Sequence, residues 1–358
     1  MPLRFRFIPN DCDTNAYSAR MVEILGRIGS VGAAPRSWFI RNRFDAAFVS
    51  WYDNRILAPD GSLSPLRFCK VIMRTLVLRA QARKLIFIRH NRMPHKTKPS
   101  DRQLAERLVN VYERWLFECS LIHSPEETVG TRLYCPHPLY KQESTAEVLP
   151  PQLAAFSTQA FYVVFGRIEP YKQLEQLIQA FPKDKQLVIC GRCSDPDYLA
   201  SLTRVAPDNV TVLHGFVPDA HAQWLIRRSQ GVVINHASDD MIVSASFFYA
   251  MSLAQRVFAV ATPFLRWAST ALGEDVVLVS DDLAGLCRSL SEASSAGPQR
   301  EIEPAPAIDQ LFGDQTIAQH ITAALERVGL DVRMMESSSG PKSHAVCSSS
   351  RRDRALCS

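Results

Sequence analysis

No apolar run in this chain approaches the ~18 residues that a membrane span needs. Residues 1–8 are too short for a secretory signal, and arginines interrupt their apolar run, so no export is expected. The nine cysteines are scattered, and Cys190-Gly-Arg-Cys193 is the only CxxC pair. No second pair completes a zinc site, and the flanking pattern lacks the thioredoxin-like context of a redox pair. The cysteines therefore read as reduced and mostly structural, as in a cytosolic protein. No unit of roughly 20–50 residues repeats. Neither a helix-turn-helix nor an RNA-type aromatic platform is visible, which leaves nucleic-acid binding little support.

What is present suits a globular protein. The chain has 358 residues, about two domains' worth, and 46% of them are hydrophobic. Charge is uneven. Residues 1–150 hold 23 Lys and Arg against 14 Asp and Glu, whereas the remainder is net acidic. The first half is thus suited to an anionic surface, membrane or nucleic acid.

Strand and helix patterns alternate, which predicts α/β domains with parallel sheets. In the first half, strands are expected at 3–8, 44–51, 85–88 and 120–123, with helices at 17–28, 66–82 and 103–117. Residues 141–159 break the pattern and read as a linker. Strands are then expected at 161–165, 186–190, 210–213, 231–234, 257–260 and 276–279. The helices between and after them are expected at 172–181, 197–204, 219–228, 244–253 and 282–292, and a last amphipathic helix at 315–328. The predicted domains are 1–140 and 160–312, followed by a helix at 313–330. Residues 331–358 are Ser-rich and predicted to be a disordered tail.

The most informative stretch runs from Phe161 to Lys172. Five apolar residues make a short buried strand, Gly166 turns the chain, Arg167 and Lys172 follow, and a helix pattern starts after Pro170. Backbone N–H groups, helix dipole and two cations then favour an anion, and a diphosphate better than a lone carboxylate. The plainer alternative is an ordinary strand–loop–helix with solvated cations. Other polar groups also fall at strand ends, where parallel α/β sheets bind ligands. They are Gly191 and Arg192, the run His214-Gly-Phe216-Val217-Pro218, and Asn235 to Asp240. Ser244, Ala245 and Ser246 then open a helix with small side chains.

In the first half, Asp11, Asp13 and Asn15 follow the first strand, Asp53 the second, and His90, Asn91 and His95 the third. Asp53, Asp13 and His90 are alternative candidates for a general base. The competing readings are a turn or cap for Asp53 and a structural histidine for His90. His137 and Tyr140 read more readily as packing residues. Asp195-Pro-Asp197 matches a metal-binding DxD, but it precedes a helix, where Asp is an ordinary cap. No metal or cofactor is implied. Residues 66–79 form a helix with an apolar stripe beside Arg67, Lys70 and Arg74, which suits either a core helix or one lying on an anionic bilayer.

The blocks Phe-Gly-Arg-Ile-x-Pro-Tyr-Lys-x-Leu-x-x-Leu-Ile-x-Ala-Phe, Leu-Val-Ile-Cys-Gly, Val-x-Leu-His-Gly-Phe-Val and Tyr-Ala-Met-Ser-Leu-Ala-x-x-Val resemble, in order and spacing, the C-terminal domain of GT-B glycosyltransferases. The resemblance covers roughly residues 160–265. It implies an α/β fold with two Rossmann-like domains whose parallel sheets face a central cleft. It also implies a nucleotide-sugar donor whose diphosphate is held by Arg167 and Lys172. Together with the strand-end groups, the expected donor site is Gly166, Arg167, Lys172, Gly191, Arg192, Phe216, Val217, Met241, Ser244, Ala245 and Ser246. Retaining members carry two glutamates eight positions apart; here those positions are Met241 and Tyr249, which favours inversion and a different ribose contact.

Asp13-Thr-Asn-Ala-Tyr17, Ser50-Trp-Tyr-Asp53, Arg89-His-Asn-Arg-Met-Pro-His95 and the run from Ser244 to Ala254 resemble the GumI-like β-mannosyltransferases of exopolysaccharide assembly. That resemblance implies GDP-mannose as donor ahead of a UDP-sugar, and a lipid-linked or oligosaccharide acceptor met by Asn15 and His95. The expected location is the cytoplasm, at the inner face of the cell membrane where the basic half engages lipid. The alternatives are a sugar-nucleotide epimerase on a related two-lobed fold and a non-catalytic nucleotide or nucleic-acid binder.

Overall fold

The computed structural model describes residues 2–32, 43–142, 153, 155–215, 217–236, 241–293 and 306–332. The chain divides into two compact units. One comprises Met1–Pro138, Asp239–Ile242 and Leu311–Ser358; the other comprises Leu139–Ser238 and Val243–Gln310. Each is built round its own six-stranded sheet, and every ladder is parallel.

The first unit runs β1 (Arg4–Ile8), α1 (Ala16–Ile28), β2 (Ser30–Val31), β3 (Phe44–Ser50), α2 (Pro65–Gln81), β4 (Ala82–Arg89), α3 (Arg102–Leu116), β5 (Cys119–Ile122) and β6 (Arg132–Tyr134). Its strand order is β2-β1-β3-β4-β5-β6, so the winding direction reverses between β1 and β3. The sheet is buried on both sides, as its near-continuous apolar strands require. On one side Tyr17, Met21, Ile24 and Leu25 of α1 pack with Phe5, Phe48 and Ile86. On the other, Val71 and Leu78 of α2 and Val109 and Tyr112 of α3 pack with Val49, Leu85 and Phe87. Each such fully buried side chain contributes roughly 2 kcal/mol.

The second unit runs β7 (Tyr162–Phe165), α4 (Leu174–Ala180), β8 (Leu187–Gly191), α5 (Pro196–Val205), β9 (Val210–His214), α6 (Asp219–Arg228), β10 (Val232–Ile234), α7 (Ala245–Ser252), β11 (Val257–Val260), α8 (Pro263–Leu272), β12 (Val277–Ser280) and α9 (Leu283–Glu292). Its order, β12-β11-β10-β7-β8-β9, reverses between β7 and β10. Two helices follow, α10 (Pro306–Phe312) and α11 (Asp314–Arg327). The last of these belongs to the first unit. Ile317, Ile321 and Leu325 enter the core of α1, and Asp314 pairs with Arg20 and, at 2.6 Å, with Arg27.

Several details differ from the sequence expectation, among them the unexpected β2, β6 and α10. The helix expected at 172–181 is split: Pro170–Lys172 is a 3₁₀ turn, Gln173 is left-handed at φ 52°, and α4 starts only at Leu174. Helix α8 was not anticipated, although Thr262-Pro263 is a cap followed by proline at the first helical position, and Thr262 Oγ1 accepts from the Leu265 N–H at 3.1 Å. Residues 139–142 join the second unit. The Tyr140 N–H donates to Ser252 Oγ and the Gln142 amide to the Ser252 carbonyl, both at 2.7 Å. Val332 is buried in the first core, and the rest of the predicted tail, 333–358, lies outside the described residues. Most of the predicted linker, 143–152, also lies outside them.

Candidate functional site

In the second unit, polar groups gather where the winding reverses, the position at which open α/β sheets bind ligands. Gly166 leaves β7 with φ +110°. A Cβ placed on it would lie 3.3 Å from both Lys172 Nζ and Ser246 Oγ, so the missing side chain leaves a gap faced by an ammonium and a hydroxyl. Two bonds fix those groups. Ser246 Oγ donates to the Phe165 carbonyl at 2.8 Å, tying the first turn of α7 to the end of β7. Asn235, just past β10, donates from Nδ2 to the Lys172 carbonyl at 2.6 Å and holds the loop across the reversal. The N-cap Ser244 makes no side-chain cap bond, so the first N–H groups of α7 keep their capacity to meet an anion.

Lys172 is 5% exposed, and its ammonium forms no hydrogen bond or ion pair among the described residues. Burial lowers its pKa from 10.5 to about 8, opposed by Glu169 and assisted by Arg167. Arg167 itself is exposed and pairs with Glu169 Oε1 at 2.7 Å. The two predicted cations therefore share one loop, but they differ in kind: one is buried and without a direct ion pair among the described residues, the other solvent-facing and paired. Sequence reading missed Glu169, which sits between them.

The remaining predicted donor residues are spread over neighbouring loops. Gly191 lies against Gly166, and the Arg192 carbonyl accepts from the Ile168 N–H at 2.9 Å while its side chain is exposed. Val217 is half-buried and Ala245 exposed. Phe216, Asp239 and Asp240 lie outside the described residues. Met241 belongs to the first unit, where it bridges to Asn91. Tyr249 packs its ring 4.7 Å from that of Phe165 and 5.2 Å from that of Tyr140. Asp195 caps α5 by accepting from the N–H groups of Asp197 and Tyr198. That supports the capping role, and no cluster of metal-binding side chains occurs among the described residues.

In the first unit the winding reverses between β1 and β3. Past β3, Trp51 adopts a left-handed backbone (φ 53°) and stacks on His90, with ring centroids 4.3 Å apart and planes 9° apart. Asp53 follows in a 3₁₀ turn and is 4% exposed. Burial raises its pKa from 3.8 to about 6, opposed chiefly by Arg89 and more weakly by His95. His90 shares a 2.7 Å hydrogen bond with Ser50 Oγ, and burial together with His123, His137 and His95 holds its pKa well below 6.5. Asp53, His90 and His95 therefore gather at the ends of β3 and β4. His95 is exposed, and its N–H donates to Asn54 Oδ1 at 3.3 Å. Asp13 is exposed on the loop after β1. Asn15 caps α1, with its Oδ1 accepting from the Tyr17 and Ser18 N–H groups.

A buried ion-pair network supports this region. Arg89, 2% exposed, donates to Glu113 Oε2 at 2.5 Å, to Asn110, and to the carbonyls of Asn91 and Arg92, which fixes the loop after β4. Arg132 completes the pairing of Glu113. Sequence reading missed this network and the ring cluster of Tyr17, Trp51, His90, His123 and His137. In that cluster the Tyr17 hydroxyl lies 3.0 Å from His123 Nε2, and His123 Nδ1 lies 2.8 Å from the Cys135 carbonyl. His137 is buried there, consistent with packing.

No protein-family model matches the sequence, and no curated protein matches it. Solved structures do match in fold. AviGT4, a glycosyltransferase involved in avilamycin A biosynthesis, is 15% identical, with a TM-score of 0.53 over 91% of this chain and 98% of its own. HepE from Anabaena, solved in complex with UDP-glucose, is 13% identical, with a TM-score of 0.58 over 90% of this chain and 99% of its own. Sucrose-phosphate synthase from Thermosynechococcus elongatus is 16% identical, with a TM-score of 0.55 over 80% of this chain and 74% of its own. Two parallel-sheet units in this order, matched in fold by these structures over most of the chain, give it the GT-B fold.

Proposed function

We propose that the chain is a glycosyltransferase that moves a sugar from a nucleotide-sugar donor to a hydroxyl acceptor. The observation that carries this reading is the placing of a buried Lys172, without a direct ion pair among the described residues, beside Ser246 across the Cβ-free gap at Gly166. A diphosphate would supply the directly bonded anion that this ammonium lacks, and the helix start at Ser244–Ser246 would add N–H donors. Arg167 would meet the same anion once released from Glu169.

The first unit would supply the base. Asp53 is the favoured candidate, since it is buried just past β3 and a carboxylate near 6 is ionised at neutral pH yet basic enough to take a proton. His90 holds protons too weakly. In a single displacement the acceptor oxygen forms a bond to the anomeric carbon. The bond from that carbon to the diphosphate breaks with its electron pair, and the acceptor's proton passes to Asp53. Lys172 stabilises the departing charge, so this chemistry requires no metal. Met241 and Tyr249, where retaining relatives carry glutamates, support inversion.

The GumI-like motif resemblance, which runs through both halves, supports GDP-mannose as donor and a lipid-linked or oligosaccharide acceptor of exopolysaccharide assembly. The UDP-glucose bound to HepE makes UDP-glucose the comparison donor. The test is nucleotide release from each donor, with and without acceptor, by the wild-type protein and Lys172→Ala. The variant should lose about a hundredfold or more in turnover. Near-normal turnover by Lys172→Ala would contradict the assignment.

A further inference from the structure

Eight large hydrophobic side chains are exposed among the described residues, and six of them lie on α2 and α3: Leu66, Met73, Leu76, Leu104, Val111 and Trp115. Trp115 is 77% exposed. Their spacing is regular. On α2, Leu66, Cys69, Met73, Leu76 and Ala80 are all exposed and fall on one stripe. At about 100° of rotation per residue, that stripe lies roughly opposite the buried Val71, Thr75 and Leu78. On α3, Leu104, Leu108, Val111 and Trp115 make a second stripe, away from the buried Ala105, Val109 and Tyr112. The two helices pack on the same face of the sheet and are joined by a 2.8 Å hydrogen bond between Thr75 Oγ1 and the Tyr112 hydroxyl. Each helix thus has two apolar faces, of which the core uses one.

Cations flank both stripes. Arg67, Lys70, Arg74, Arg107 and Arg114 are exposed and form no ion pair among the described residues. α2 contains no acidic residue at all. No helix of the described residues is long and apolar enough to cross a membrane.

We propose that the outward face of α2 and α3 docks on the surface of an anionic lipid bilayer. The two helix faces can lay apolar side chains at the acyl boundary with the flanking cations at headgroup level, and those unpaired cations favour an anionic lipid surface over an apolar partner. Trp115 at the end of its helix is suited to that boundary. Each cation near an anionic leaflet strengthens binding about fivefold. This surface is independent of the transfer reaction, and its test does not use sugar transfer.

The full chain is sedimented with vesicles of phosphatidylcholine alone and of phosphatidylcholine with phosphatidylglycerol. The wild-type protein should bind the anionic vesicles at least tenfold more tightly than the neutral ones, and added salt should weaken that binding. Met73→Glu with Trp115→Glu, two surface changes that leave the core intact, should lower binding at least tenfold. Lys70→Glu with Arg74→Glu should erase the preference for the anionic lipid. Wild-type protein that stays in the supernatant with both vesicles overturns the proposal, as does undiminished binding by the Met73/Trp115 variant. A concentration-dependent dimer lost in that variant, without vesicle binding, would assign the face to a second copy and likewise overturn it.

Discussion

A Cβ atom on Gly191 would stand 1.9 Å from the carbonyl oxygen of Gly166. The turns after β7, β8 and β9 are bonded in series: the Gly166 N–H donates to the Cys190 carbonyl and the Gly215 N–H to the Gly191 carbonyl, both at 3.1 Å. Only glycine at position 191 lets these backbones touch. Gly191→Ala should therefore destabilise the protein by about 2 kcal/mol or more and displace the Gly166 turn. Denaturant unfolding checks the first effect. A parallel loss of affinity for a nucleoside diphosphate checks the second.

Asp53 gives the account a pH signature. Its folded pKa lies above the unfolded value, so the folded protein binds more protons between pH 3.8 and about 6. Stability from this group is present below that window and lost as pH rises through it, in total about 3 kcal/mol. Activity has the opposite sign, because the base must be ionised, so turnover should rise as pH passes about 6. Asp53→Asn should abolish turnover while raising stability at neutral pH. Burial holds His123 at about 4 and His90 and His137 well below 6.5, so these histidines do not account for a rise at that pH. A pH profile of turnover alongside unfolding curves for the wild-type protein and Asp53→Asn separates the two effects.

Glu113 neutralises the buried Arg89 and the half-buried Arg132. Glu113→Ala strands a charge that cannot reach water and should cost about 3–5 kcal/mol. Arg89 also holds the carbonyls of Asn91 and Arg92, so catalysis should fall even where the variant stays folded. Thermal unfolding with activity measured well below the transition tests both consequences.

Much of the fold was legible in the sequence because doubly buried strands are near-continuous apolar runs, and those from Phe44 and Tyr162 read plainly. The two-residue strand Ser30–Val31 and the three-residue strand Arg132–Tyr134 are too short to carry a pattern. Strand order could not be read either, since it depends on contacts between distant segments. It is that order which makes Lys172 and Asn235 neighbours and gives the Gly166 turn its significance. The cations at 167 and 172 were visible as charges. Their unequal burial, and the pairing of Arg167 with Glu169, follow from the left-handed Gln173 and the 3₁₀ turn before it, which helical periodicity does not reveal.

Lys172 makes the central claim measurable. Titration calorimetry of GDP and UDP into the wild-type protein and Lys172→Ala, at neutral pH and above pH 8, tests it most directly. One of the two nucleotides should bind the wild-type protein at neutral pH, with affinity falling as Lys172 loses its proton near pH 8. Lys172→Ala should bind at least tenfold more weakly and lose that alkaline dependence. Binding of neither nucleotide, or equal binding by the wild-type protein and the variant, would contradict the account.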